Sequence, residues 1–136
     1  MHAQVALNPG AAPADTDYYN LADILLTAEN FYADFRCVSG LCPDCLPCGQ
    51  ASHLSCHECS PSQLSLGSST PASKQAIVLT DGPSTPPTDL ISQLVATDKV
   101  GAFWVTDDTQ ANGANPYDTL PADIESFVAD VEAAQS

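Results

Sequence analysis

Six cysteines all fall between Cys37 and Cys59, with His53 and His57 among them. Cys42-x2-Cys45 and Cys56-x2-Cys59 are two paired-thiolate knuckles separated by ten residues. Soft sulfur ligands at that spacing suit one tetrahedral zinc ion, so Cys42, Cys45, Cys56 and Cys59 are candidate metal ligands. Cys48, His53 and His57 can substitute in such a set. Cys37-x4-Cys42-x2-Cys45 also echoes the spacing of a plant-type iron–sulfur site. In an oxidising compartment the same thiols would form disulfides instead. A second set of chemistry-bearing residues is polar and follows apolar runs: Asn8, Glu29 and Asn30, Thr80 and Asp81, and Asp107 and Asp108. Carboxylates can accept or move protons, and Asn8, Asn30, Asp107 and Asp108 are candidates to bind a ligand's hydroxyl groups. Asn8 in Asn-Pro-Gly also has the composition of a turn, and Asp-Asp-Thr that of an ordinary loop.

The elements that would hold these residues are short. Val5–Leu7, Ile24–Thr27, Ala76–Leu79 and Val100–Val105 read as buried-type strands. Helical stretches alternate with them. One begins near Pro86–Pro87 and runs to about Ala96, with Leu90, Ile91, Leu94 and Val95 on one face; the other runs from Pro121 to about Ala134, with Ile124, Phe127, Val128 and Val131 as its stripe. This alternation predicts βα units and a parallel sheet, with chemistry at the carboxyl ends of the strands. Three regions follow: 1–36 and 71–136 as βα units, and 37–70 as a Cys-, Ser- and Pro-rich irregular insert, expected to be poorly ordered without metal. Seventeen acidic residues oppose Arg36, Lys74 and Lys99, a formal charge of −14 over 136 residues. That balance excludes a phosphate-neutralising surface and disfavours anionic membranes, so neither nucleic acid nor membrane is an expected partner. The opening MHAQVALNPG lacks the basic and apolar regions of a secretory signal.

Four segments carry a family resemblance: VALNPG (5–10), YYNLADILLTAENFYADF (18–35), PASKQAIVL (71–79) and VGAFWVTDDTQANGANPYDTLP (100–121). Together they resemble the C-terminal half of spherulation-specific family 4 proteins, over residues 4–36 and about 64–134, with a break between. The resemblance implies the last four βα units of a (β/α)8 barrel, interrupted by the cysteine segment. It further implies a secreted glycoside hydrolase acting on a cationic, galactosamine-containing polysaccharide, with no cofactor. Glu29 is the residue that matches a family catalytic carboxylate.

A whole (β/α)8 barrel takes roughly 250 residues, and the family's acidic Asp-Glu pair has no counterpart in this chain. Glycosidic hydrolysis generally needs two carboxyl groups, and Glu29 supplies one. The chain is therefore expected to be an inactive barrel fragment, self-associating through exposed sheet edges. The alternative is a small zinc-binding interaction module built on Cys42–Cys59. A reading at the level of the gene treats Val38–Gln63 as a retained intron. Strand starts at Val5, Ile24, Ile77 and Val100 are 19, 53 and 23 residues apart, and removing those 26 residues shortens the middle interval to 27.

Overall fold

A computed structural model describes residues 4–38, 67–109, 115, 117, 118, 120, 121 and 123–136, with side chains from Arg36 to Val38 left aside. The cysteine knuckles, and with them the zinc, iron–sulfur, disulfide and retained-intron readings, lie outside the described residues. The elements are β1 (Ala6–Leu7), α1 (Tyr18–Leu21), β2 (Ile24–Phe31), α2 (Tyr32–Val38), β3 (Gln75–Thr80), α3 (Thr88–Ser92), β4 (Ala102–Val105) and α4 (Ile124–Gln135). The four strands form one parallel sheet in the order β1-β2-β3-β4. The α/β class and the parallel sheet are as the alternation of apolar runs predicts. No helix among the described residues is long and apolar enough to cross a membrane.

The predicted helical faces become the core. Leu90, Ile91 and Leu94 are buried together with Ile77, Leu79, Val105, Phe35 and Phe127. Each such aliphatic side chain contributes about 1.5–3 kcal/mol when removed from water. Val95, Ile124 and Val131 pack against this cluster, but Val128 is 48% exposed. Successive helical residues lie about 100° apart, so with Phe127 aimed at the core its neighbour turns to solvent. The helical stretch after Pro87 also differs from its expected form. Its second half, Gln93–Thr97, widens into a π turn, closed by Val100 N–H donating to the Leu94 carbonyl at 3.0 Å. Lys99 makes that closure in a left-handed conformation (φ 59°).

One polar brace ties β2 to β3, and a second ties the end of α1 to the turn before β3. Gln75 is completely buried; its Oε1 accepts from the Thr27 hydroxyl at 3.0 Å and its Nε2 donates to the Thr70 carbonyl at 3.0 Å. Lys74 Nζ donates to the carbonyls of Tyr19 and Ala22, at 2.5 and 3.0 Å. A cation at the carbonyl end of α1 is the favourable polarity, and it fastens the second apolar cluster, Tyr19, Ala22 and Leu25, to the turn before β3. One of the three basic residues is thereby used inside the fold.

The largest departure from expectation is the length of β2. The apolar run ends at Thr27, which would leave Glu29 in a loop beyond the strand. Instead the strand continues through Glu29 to Phe31, paired with β3 along its length. The pairing shifts between Leu26 and Ala28: Leu26 stands opposite Ala76 and Ala28 opposite Ile77, so Thr27 is an extra, bulged residue.

Candidate functional site

The bulge decides where Glu29 points. In an uninterrupted strand Leu25, Thr27 and Glu29 would share one face, because side chains alternate with a period of two. Leu25 is fully buried, so that register would drive the Glu29 carboxylate inward. The extra residue reverses the alternation. Ala28 now stands opposite the buried Ile77, and Glu29 and Phe31 stand opposite Val78 and Thr80 on the other face. The Thr27 hydroxyl, held by Gln75, anchors the bulge that makes this change.

At the carboxyl end of β2 and β3 lies an open cleft of about 400 Å³, lined by Gly10, Glu29, Asn30, Phe31 and Thr80. Gly10 follows β1 in a left-handed conformation (φ 75°), with open space where a side chain would stand. Asn30 Oδ1 accepts the Phe31 N–H at 2.8 Å, which squares off the end of β2. Thr80, almost completely buried at the end of β3, forms part of the cleft wall.

Glu29 has a partner from 88 residues further along the chain. The Tyr117 hydroxyl donates to Glu29 Oε1 at 2.5 Å. Tyr117 sits in a turn that braces itself. Its N–H donates to Asn115 Oδ1 at 3.2 Å, Asn115 Nδ2 donates to Asp118 Oδ1 at 2.7 Å, and the Asp118 N–H donates to the Asn115 carbonyl at 3.1 Å. Partial burial, the hydrogen bond to Glu29 and the negative charge of Glu29, in that order, push the Tyr117 phenol up to about 12. Each cause disfavours the phenolate.

The sign of the resulting pH dependence is fixed. A phenol whose folded value exceeds its ordinary value near 10 contributes fully below pH 10 and loses that contribution as pH rises towards about 12. Substituting Glu29→Gln removes the charge, so the Tyr117 midpoint is expected to fall towards 10. Tyr19, raised by burial alone, should not move. Phenolate absorbance across an alkaline titration checks this, with Tyr117→Phe to assign the late component. An unchanged late midpoint in Glu29→Gln would mean that the two side chains do not meet in solution.

The other expected site residues divide. Glu29 and Asn30 share the cleft. Asn8 Oδ1 instead accepts the Gly10 N–H at 2.8 Å, which is the turn role its Asn-Pro-Gly setting allows. Asp107 is exposed and Asp108 half-buried beyond β4, where the Asp108 carbonyl accepts the Asp81 N–H at 3.0 Å. Neither Asp107 nor Asp108 is among the cleft residues named above. Tyr117 and Phe31 are not among the site residues expected from the sequence. The signal for Tyr117 was its place in an Asn-Pro-Tyr-Asp turn after a strand-end Asp pair, which brings a loop to the carboxyl side of the sheet.

Among the described residues no group of three or more His, Cys, Asp or Glu side chains is placed to hold a metal ion. No curated protein and no solved structure matches the chain. A family model described as Spherulation-specific family 4 matches residues 1–131, nearly the whole chain. That extent corrects several expectations. The resemblance is not confined to a C-terminal half, so the reading of the fold as an interrupted half of a (β/α)8 barrel falls. With it falls the inactive hydrolase fragment that lacks a front half. The match along nearly the whole chain likewise replaces the reading of the chain as a small separate interaction module; the metal ligands named for that module, Cys42, Cys45, Cys56 and Cys59, lie outside the described residues.

Proposed function

We propose, from the premise that this chain belongs to spherulation-specific family 4, that it binds a polysaccharide in the cleft at the carboxyl end of β2 and β3. The observation that carries this reading is the Glu29 carboxylate, turned away from the core by the bulge and held at Oε1 by Tyr117. Its other oxygen is the acceptor for a ligand hydroxyl, and Asn30 supplies further polar atoms beside it. An ionised carboxylate makes hydrogen bonds roughly twice as strong as a neutral acceptor, so Glu29 dominates the recognition. It is also the group of this cleft suited to accept or return a proton at a glycosidic or hydroxyl oxygen. Asp107 and Asp108 extend the polar rim beyond β4, where a longer polymer would pass. A net charge of −14 supports an uncharged or cationic glycan over any polyanion, nucleic acid included. An extracellular location goes with such a ligand.

The test is binding of the full chain to a panel of neutral, N-acetylated and amino-hexose oligosaccharides, measured by calorimetry. At least one class is expected to bind. Replacing the carboxylate in Glu29→Gln should weaken it roughly tenfold to a hundredfold, the scale of one lost charged hydrogen bond. A folded chain that binds no member of the panel overturns the reading.

A further inference from the structure

We infer that Phe31 is the platform on which a sugar ring stacks in this cleft, so that the site selects cyclic pyranosides over open-chain polyols; this rests on the polysaccharide reading above. Phe31 is the last residue of β2 and is 47% exposed. An apolar ring in that position is neither core nor strand filler. It lines the cleft together with Glu29, and the two share a face because they are two residues apart beyond the bulge. Their partners across the ladder are Val78 and Thr80. A ligand hydrogen-bonded to Glu29 must therefore lie along the same face as the Phe31 ring.

The surroundings leave room for that contact. Gly10 presents no side chain and has nothing within 4 Å of the place one would occupy. The backbone beneath the ring is tied down, since the Phe31 N–H donates to Asn30 Oδ1 at 2.8 Å. Pyranose rings carry one face of C–H groups, weakly positive, that complements the negative face of an aromatic ring. Carboxylate beside aromatic is thus a two-point site: hydroxyl to Glu29, ring face to Phe31. An alditol offers the first contact without a rigid second one, and it must give up chain entropy to mimic it.

Saturation-transfer NMR on the full chain separates the possibilities, using methyl pyranosides of glucose, galactose and their 2-amino forms, with sorbitol and galactitol as open-chain counterparts. Pyranosides should give the stronger transfer, concentrated on protons of one ring face. Phe31→Ala should weaken their binding by about tenfold, the value of one aromatic contact at an open site, while Phe31→Trp retains it. Because Phe31 is exposed, both variants should keep the wild-type circular dichroism. Equal binding of alditols and pyranosides, or unchanged affinity in Phe31→Ala, overturns the stacking role and leaves the polysaccharide reading standing. Absence of binding by the wild-type chain to these sugars and to the oligosaccharide panel overturns both.

Discussion

A single methyl group added at Gly101 is expected to destabilise the fold by about 3 kcal/mol or more, the upper range for overpacking a close contact. A Cβ at this position would stand 2.2 Å from the Ser73 carbonyl oxygen and 2.7 Å from Ile24 Cδ1. The first of these is backbone and cannot rotate away. The turn that carries it is held by the same glycine, whose N–H is shared between the carbonyls of Ala72 and Gln75, at 3.0 and 3.1 Å. Relieving the clash therefore means breaking the hydrogen bonds that bring β4 into register with β3. In Gly101→Ala the melting temperature should fall on the order of 10 °C, by the usual scaling for a domain of this size. Gly10→Ala is the informative control. Its space is open but its φ is 75°, so only backbone strain of about 1–2 kcal/mol is expected. Equal losses at the two positions, or a Gly101→Ala loss below about 0.5 kcal/mol, would show that the Ser73 turn yields freely.

The second large effect is expected at Gln75, and it reaches the cleft. Leucine fits the burial of this position but satisfies neither Thr27 nor Thr70. Gln75→Leu strands the Thr27 hydroxyl, 2% exposed, and leaves the Thr70 carbonyl with only the long bond from the Gly67 N–H at 3.5 Å. A stranded hydroxyl costs about 1–3 kcal/mol and the weakened carbonyl adds up to about 1 more, giving an expected loss of roughly 2–4 kcal/mol in urea unfolding. Removing the hydroxyl as well should recover part of it, because Thr27→Val leaves one fewer group unpaired. The coupling in this double-mutant cycle is expected to be about 1 kcal/mol. Strictly additive losses would mean the hydrogen bond between Thr27 and Gln75 contributes nothing. Thr27 is also the bulged residue. The same substitution should therefore weaken ligand binding, by loosening the register that turns Glu29 outward, although Gln75 touches no ligand.

Glu29 illustrates how far local pattern reaches. Its chemistry and its place near a strand end were legible from the residues, as was Asn30 beside it. Which face it occupies was not. Strict alternation from Leu25 would have buried it, and only the ladder with β3 reveals the additional residue at Thr27. Tyr117 lies further still from sequence logic, since its contact with Glu29 spans 88 residues. Nothing in Asn-Pro-Tyr-Asp names the strand it will meet. Asn8 erred the other way: its side chain serves its own turn, a local use that the flanking Pro and Gly already advertised.

What the amino-acid sequence determined by itself was the class of fold: short apolar runs alternating with helical stripes make a parallel α/β sheet, because 2.0 and 3.6 residue periods are properties of the local backbone. Leu90, Ile91 and Leu94 were identifiable as core for the same reason. The tertiary structure alone decided the bulge, the outward carboxylate, the tyrosine that holds it and the exposed phenylalanine beside it. Each of these depends on pairing or contact between segments distant along the chain. Such contacts are set by packing of the whole sheet, not by the conformational preference of any one stretch.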